Sequence, residues 1–375
     1  VSKGSVQEPT FVLRYAGEAS STVYCGSGLL ASLGKLVRGG PAGPPNRALL
    51  CGDASVDALH GEQVAAALAE SGLTVQRVTM PAGEPHKNLQ TVTTMYTRFA
   101  KLGVERSDVL IALGGGVPGD LFGFVAATYL RGLRLIQIPT TLVAQVDSAI
   151  GGKVGVDLPE GKNLVGAFKH AELVVADVDL LSTLPEEEWV AGTAEVLKAG
   201  VIADAALFDR LEENALAWRR RTMALDPVLA AAVAVKARIV QEDVFETGSR
   251  MFLNYGHTYG HAIEAAAGYG TLRHGEAVGW GMAMEARLAA RIGLMSDQDV
   301  VRQDRVLRAL GLLTPFAPPP MDTILAHLNR DKKVRQGRVR WALPAGAIGS
   351  CVVRSDVPEE MVRTVLADRL GGLLV

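Results

Sequence analysis

Asp108-Val109-Leu110-Ile111-Ala112-Leu113-Gly114-Gly115-Gly116-Val117-Pro118-Gly119-Asp120 begins as an uninterrupted apolar run and ends in glycines. Apolar residues without polar alternation suit a strand buried on both faces, the kind a parallel sheet uses. The glycines let the chain turn sharply and leave N–H groups open to a pyrophosphate at the start of the next helix. The spacing is not Gly-x-Gly-x-x-Gly, and a tight strand–helix turn uses the same residues, so the neighbouring segments have to decide.

They alternate. Residues 48–51 read as a strand, 57–71 as an amphipathic helix ended by Gly72, and 74–78 as a strand. Residues 89–102 read as a helix ended by Gly103, and 133–138 as a strand stopping at Pro139. Strand–helix–strand alternation with buried-type strands predicts a parallel sheet covered by helices. Asp53 follows the first of these strands, where an acid can bind a ribose hydroxyl. Glu84 and Lys87 sit in a loop-like stretch, and Thr140-Thr141 offer hydroxyls at a strand end. Together with Gly115 and Gly116 these sites outline a nucleotide crevice.

The texture changes after Leu184-Pro185. Ala/Leu/Glu/Arg-rich helical patterns cover residues 186–202, 205–221, 227–243, 259–267, 276–292 and 297–310, and only 340–343 and 350–353 read as strands. The expectation is an α/β Rossmann-like domain over residues 1–185 and a mainly α-helical domain over 186–375.

Totals bound the function. The chain has 375 residues, 48% hydrophobic and 21% charged, with a net charge of −2, which argues against nucleic-acid and polybasic membrane partners. Cys25, Cys51 and Cys351 are scattered and odd in number, so a reducing cytoplasm is expected. The first residues lack the apolar stretch of a signal peptide, and no run is long enough for a membrane helix.

Chemistry concentrates in one window. His257, His261 and His274 are three of the seven histidines. The first two are spaced i, i+4, which puts both imidazoles on one helix face. With a third imidazole or a carboxylate they would suit a catalytic divalent metal; histidines that only cap or pack would leave the same spacing. Glu195, set i, i+3 from Lys198, is a candidate carboxylate for that metal or one half of an intrahelical ion pair. Asp147, Lys153, Lys162 and Asn163 lie in glycine-rich stretches suited to a phosphate, although surface lysines in loops would look alike. Lys236 and Arg250 are candidates for a substrate carboxylate.

Seven ordered blocks resemble 3-dehydroquinate synthase, of the sugar phosphate cyclase superfamily. They are GGGVPGD (114–120), RGLRLIQIPTTLVAQVDSAIGGK (131–153), GKNLVGAF (161–168), AEVLK (194–198), LNYGHTYGHAIE (253–264), HGEAV (274–278) and RDKKV (330–334). The resemblance runs from about residue 49 to about residue 354. It implies a Rossmann-like NAD domain, a helical domain, and a site in the cleft between them. It implies Zn²⁺, or Co²⁺, held by Glu195, His257 and His274, with His261 turned to substrate. Asp53, Glu84, Lys87, Gly115, Gly116, Asp120, Thr140, Thr141, Thr183, Leu184 and Glu188 match NAD positions, and Lys153 and Lys162 are expected to bind the cofactor as well. Asp147, Lys153, Lys162, Asn163, Lys198, Lys236, Arg250 and Asn254 match substrate positions, with Lys333 favoured over Lys332. Arg131 matches an arginine that reaches a neighbouring subunit's phosphate site, which implies a homodimer.

The implied reaction turns a small phosphorylated sugar acid, 3-deoxy-D-arabino-heptulosonate 7-phosphate, into 3-dehydroquinate. It runs by transient NAD-dependent oxidation, phosphate elimination, reduction, ring opening and aldol closure, the second step of the shikimate pathway to aromatic amino acids. Lys153, Asn163 and Arg131 would hold the phosphate, Lys236 and Arg250 the carboxylate, and His261, Asp147 and Lys198 would relay protons. Asp157 stands where many relatives carry Asn, Ser55 where an Asn often contacts nucleotide, and Lys169-His170 replaces a common Gln-Pro. Cyclitol synthases are the nearest alternative, but the scyllo-inosose type carries Glu at the position of Asn254 and the valiolone type departs from the GHTxGH pattern. A glycerol dehydrogenase-like oxidoreductase needs an Asp-x-x-x-His metal pair, which this window lacks. A non-catalytic nucleotide-binding module would not need the full ligand set.

Overall fold

The computed structural model describes residues 8–15, 18–268, 271–330, 334–335 and 338–371. The chain divides into two compact units, Val1–Pro185 with Lys236–Gln241, and Glu186–Val235 with Glu242–Val375.

The first unit is built on a seven-stranded sheet. Its strands are β1 (Phe11–Tyr15), β2 (Glu18–Gly26), β3 (Arg47–Asp53), β4 (Thr74–Met80), β5 (Val109–Gly114), β6 (Arg134–Pro139) and, after a hairpin of β7 (Lys153–Leu158) and β8 (Gly161–Phe168), β9 (Leu173–Asp177). The order is β1-β2-β9-β6-β5-β3-β4. All neighbours are parallel except β1 with β2. Every residue of β5 is buried, which explains its unbroken apolar sequence. Helices α1 (Leu33–Arg38), α2 (Glu62–Ala69), α3 (Leu89–Lys101) and α4 (Gly116–Thr128) connect the strands.

The order places β4 on one side of β3 and β5 on the other, so the winding direction reverses between β3 and β5. Parallel strands share an edge at their carboxyl ends, and ligands of such sheets bind where the direction reverses. Register aligns Gly52 with Leu113 and Gly114 with Pro139, so Asp53, the three glycines and Thr140 lie along that edge.

Several expectations need correction. The helix expected over 57–71 starts earlier, as a turn of helix at Ala54–Val56 capped by Asp53, and passes through a wider π turn before α2. The glycine-rich stretch around Lys153 and Lys162 is the antiparallel hairpin β7–β8. Its glycines allow close strand approach: a side chain at Gly155 would meet the Val165 carbonyl at 2.6 Å. The strands β1, β2 and β9 were not expected.

The second unit is helical: α5 (Glu186–Ala203), α6 (Ala205–Glu213), α7 (Ala215–Arg219), α8 (Asp226–Glu242), α9 (His257–Ala267), α10 (His274–Arg291), α11 (Asp297–Ala309), α12 (Met321–Arg330) and α13 (Glu359–Gly371). Short pairs β10 (Val334–Arg335) with β11 (Arg338–Val339) and β12 (Trp341–Pro344) with β13 (Cys351–Arg354) complete it. The single helix expected over 205–221 breaks at Asn214, whose side chain donates to the Arg210 carbonyl at 2.9 Å and competes with the helical ladder. The boundary expected at 185 leaves out Lys236–Gln241, the last turns of α8, which group with the first unit. There Gln241 accepts from the Arg14 N–H at 2.9 Å and Lys236 pairs with Asp147.

Candidate active site

Three helices of the second unit bring Glu195, His257 and His274 together, with one ligand atom from each within 4.8 Å of the others. Glu195 lies in the middle of α5, which is buried from Ala191 to Ile202. His257 and His274 are the first residues of α9 and α10. Close backbone approach makes this possible. A Cβ on Gly281 would meet the Gly256 carbonyl at 1.8 Å, so α10 lies directly against the start of α9. A Cβ on Gly275 would meet Ala191 atoms at 2.2–2.5 Å, so the start of α10 touches α5 one turn before Glu195.

The geometry suits a small cation. Glu195 Oε1 lies 3.4 Å from His257 Nε2 and 3.5 Å from His274 Nε2. Ligand atoms at tetrahedral positions about 2.1 Å from a metal stand about 3.4 Å apart. Glu195 Oε1 is buried with no hydrogen-bond donor among the described residues, an arrangement a cation would satisfy. Lys198 pairs with the other oxygen, which is the intrahelical ion pair that the i, i+3 spacing allows and leaves Oε1 facing the two histidines. His257 Nδ1 stands 3.0 Å from the Tyr255 carbonyl. A carbonyl can only accept, so Nδ1 carries the proton and Nε2 presents its lone pair.

Electrostatics follow from burial. Burial pushes the Glu195 carboxyl up, but Lys198 and His257 outweigh it and hold the group well below its ordinary value. Burial and then Lys198 lower His257. Burial would also lower His274, but the neighbouring Glu195 and Glu264 carboxylates lift it to about 9. Glu264 Oε2 is 3.8 Å from His274 Nδ1, on the side away from Glu195. His261 is exposed, its ring 5.2 Å from that of His257 and 5.9 Å from that of His274. It stands beside the ligand set and outside it.

Arg250 and Asn254 share the turn Ser249–Asn254. Arg250 is 1% exposed; its guanidinium donates to the Val244 carbonyl and its backbone N–H to Asp243. Asn254 donates to Glu246 at 2.7 Å. Glu188 is exposed in the first turn of α5. Lys332 and Lys333 lie outside the described residues.

In the first unit, Asp53 Oδ1 accepts from the N–H groups of Ser55 and Val56 at 2.9 and 3.0 Å. Gly115 is the cap and Gly116 the first residue of α4, which leaves a helix N-terminus at the sheet edge. Lys87 is buried, 2.5 Å from Asp120 and 2.7 Å from the Asn163 side chain. Thr140 is buried, and Thr141 Oγ1 accepts from Ala144. Thr183 Oγ1 is 2.8 Å from His60 Nε2, and Leu184 is buried beside it in sequence. Glu84, Lys153, Lys162, Asn163 and Arg131 are exposed. Leu130 and Arg131 both hold positive φ, 50° and 65°, in a turn secured by Arg106 donating to the Leu130 carbonyl. Lys236 pairs with Asp147 at 2.5 Å.

Sequence reading missed Glu264, His60 and Glu285. Glu264 ends the block LNYGHTYGHAIE, one turn after His261, and that spacing was its only signal. His60 and Glu285 act through partners remote in sequence and carried none.

Residues 77–191 match the family described as 3-dehydroquinate synthase N-terminal, and residues 192–334 that described as 3-dehydroquinate synthase C-terminal. A 3-dehydroquinate synthase of Caulobacter vibrioides (strain NA1000 / CB15N) is 45% identical over 359 residues, which is 94% of this chain and 96% of that protein. Among solved structures, the 2-epi-5-epi-valiolone synthase ValA of Streptomyces hygroscopicus subsp. jinggangensis 5008, with NAD+ and Zn2+ bound, matches with a TM-score of 0.83 at 32% identity. That match covers 96% of this chain and 100% of the other. A 2-deoxy-scyllo-inosose synthase complexed with carbaglucose-6-phosphate, NAD+ and Co2+ matches with a TM-score of 0.84 at 26% identity, over 96% and 99% of the two chains.

Proposed function

The chain belongs to the 3-dehydroquinate synthase family, and from that premise we propose that it converts 3-deoxy-D-arabino-heptulosonate 7-phosphate to 3-dehydroquinate and phosphate. One observation carries this reading: Glu195, His257 and His274 converge with metal-ligand spacing in a chain 45% identical to a 3-dehydroquinate synthase along nearly its whole length.

The cofactors are NAD and a divalent metal, zinc or cobalt, as in the two solved structures. When bound, NAD supplies an oxidation that is returned within the turnover, and the metal supplies Lewis-acid polarisation of the hydroxyl that is oxidised. Glu195, His257 and His274 hold the metal. Asp53, Glu84, Lys87, Gly115, Gly116, Asp120, Thr140, Thr141, Thr183, Leu184 and Glu188 take the nucleotide, with the α4 N-terminus facing its pyrophosphate.

The remaining polar groups serve the substrate. Lys153, Lys162 and Asn163 on the exposed hairpin β7–β8 bind the phosphate. Arg131, presented on its positive-φ turn, reaches the phosphate of a second copy, so the working form is a homodimer. Arg250 and Asn254 recognise the carboxylate end together with Lys236. His261 exchanges protons beside the metal site, where its exposure leaves the imidazole open to solvent. Asp147 sets the position of Lys236 through their ion pair, and Lys198 does the same for Glu195. Cys25, Cys51 and Cys351, buried and outside any disulfide, fit a reducing cytoplasm.

Phosphate release from the heptulosonate phosphate tests the reading. Release should require both NAD⁺ and metal and should stop with a chelator. Sedoheptulose 7-phosphate, which lacks the carboxylate, should not be turned over. Efficient cyclisation of that sugar would overturn the reading in favour of a cyclitol synthase.

A further inference from the structure

Asp157, Asn163 and Lys87 close a ring of hydrogen bonds in the first unit. Asp157 Oδ1 accepts from the Asn163 N–H at 2.7 Å. The Asn163 side-chain oxygen accepts from Lys87 Nζ at 2.7 Å. The Lys87 carbonyl accepts from the Asp157 N–H at 2.8 Å. Asn163 holds a φ of 54°, in the left-handed region that non-glycine residues enter only with local support. The carboxylate of Asp157 gives that support, because it engages the N–H of Asn163 in this conformation. Lys87 is anchored a third time, by Asp120 at 2.5 Å.

We propose that Asp157 is a positioning residue for the reaction: it locks Asn163, on the phosphate side, and Lys87, on the nucleotide side, into one arrangement. The proposal rests on the roles given above to Asn163 and Lys87. Rigid placement matters at such a site, because a misplacement of about 1 Å can cost roughly a hundredfold in rate.

An amide at position 157 could accept the same N–H, so the carboxylate adds charge to the same geometry. Glu84, in the turn after β4, and Asp120, on α4, feel its charge, while Lys87 offsets both and Lys162 offsets Glu84. Burial pushes the Glu84 carboxyl up; Lys87 and Lys162 oppose this, and Asp157 adds to it. Burial lifts the Asp120 carboxyl to about 6; Lys87 opposes this, and Glu84 and Asp157 add to it. Neutralising position 157 therefore lowers the pH at which Asp120 takes up its proton.

The test compares Asp157→Ala, Asp157→Asn and Asn163→Ala in the metal-loaded enzyme. It measures KM for the heptulosonate phosphate, NAD⁺ affinity against pH, and thermal unfolding. Asp157→Ala should raise KM roughly 10- to 100-fold, the loss of one charge-assisted bond, and weaken NAD⁺ binding as well. Asp157→Asn should restore KM to within roughly threefold, since the acceptor remains. Its NAD⁺ affinity should show the acid-side inflection at a lower pH than the wild type. If Asn163→Ala raises KM while Asp157→Ala changes only the unfolding temperature, the positioning role is wrong. An Asn163→Ala enzyme with unchanged KM would instead overturn the assignment of Asn163, and this proposal with it.

Discussion

Glu285 Oε2 accepts a hydrogen bond from the Gly256 N–H at 2.6 Å, in a position with no solvent exposure. Its other oxygen accepts from the N–H groups of Thr258 and Tyr259 at 3.0 and 3.3 Å. A helix N-terminus leaves its first N–H groups unbonded within the helix and carries a partial positive charge. One buried carboxylate from α10 therefore satisfies the start of α9, where the first residue is His257. Glu285→Ala leaves these donors buried and unpaired. It should cost about 3 kcal/mol or more, with Glu285→Gln falling between it and the wild type. Denaturant unfolding checks this, and an alanine variant of unchanged stability would rule the cap out as a stabilising element.

Gly275 should prove as intolerant as a ligand. A methyl group there would meet Ala191 backbone atoms at 2.2–2.5 Å, so the start of α10 has to move off α5. His274 is the neighbouring residue and moves with it. Gly275→Ala should lower zinc affinity at least tenfold, since metal sites tolerate ligand shifts of only about 0.2 Å. Competition with a chromophoric chelator gives the number.

Metal retention should depend on the whole triad. Three protein ligands leave no spare, so His257→Ala should lose bound zinc and activity together. Elemental analysis of the purified variant decides it: stoichiometric zinc would mean that the ion is held elsewhere.

NAD⁺ should be regenerated in every turnover. Absorbance at the NADH wavelength should stay flat while phosphate accumulates. A rise in step with phosphate would point to a net dehydrogenase.

Arg250→Lys should be impaired about 30- to 4,000-fold in kcat/KM, equivalent to roughly 2–5 kcal/mol. Lysine cannot reproduce two parallel hydrogen bonds to a carboxylate. Because Arg250 is buried and also bonds the Val244 carbonyl, unfolding should be measured alongside. Zinc content should remain stoichiometric, as Arg250 is not among the ligands.

Local composition was enough to determine the layered character of the first unit and the run of helices in the second. An unbroken buried strand such as Val109–Gly114 and a glycine helix start such as Gly115-Gly116 write their environment into consecutive residues. The histidine window was equally legible, because titratable side chains spaced by a helical turn carry chemistry in their spacing. His261 shows the limit: i, i+4 spacing puts it beside His257, yet the group whose ligand atoms lie close enough to hold a metal joins His257 to Glu195 and His274 from two other helices. That choice depends on how closely α5, α9 and α10 approach, and the approach depends on Gly275 and Gly281 meeting backbone remote in sequence. The hairpin β7–β8 was hidden for a related reason, since its glycines serve strand contact and resemble loop residues. The Asp157–Asn163–Lys87 ring and the Glu285 cap were invisible in the chain. Their hydrogen bonds join residues whose separation in sequence has no period, and only tertiary packing brings such donors and acceptors within reach.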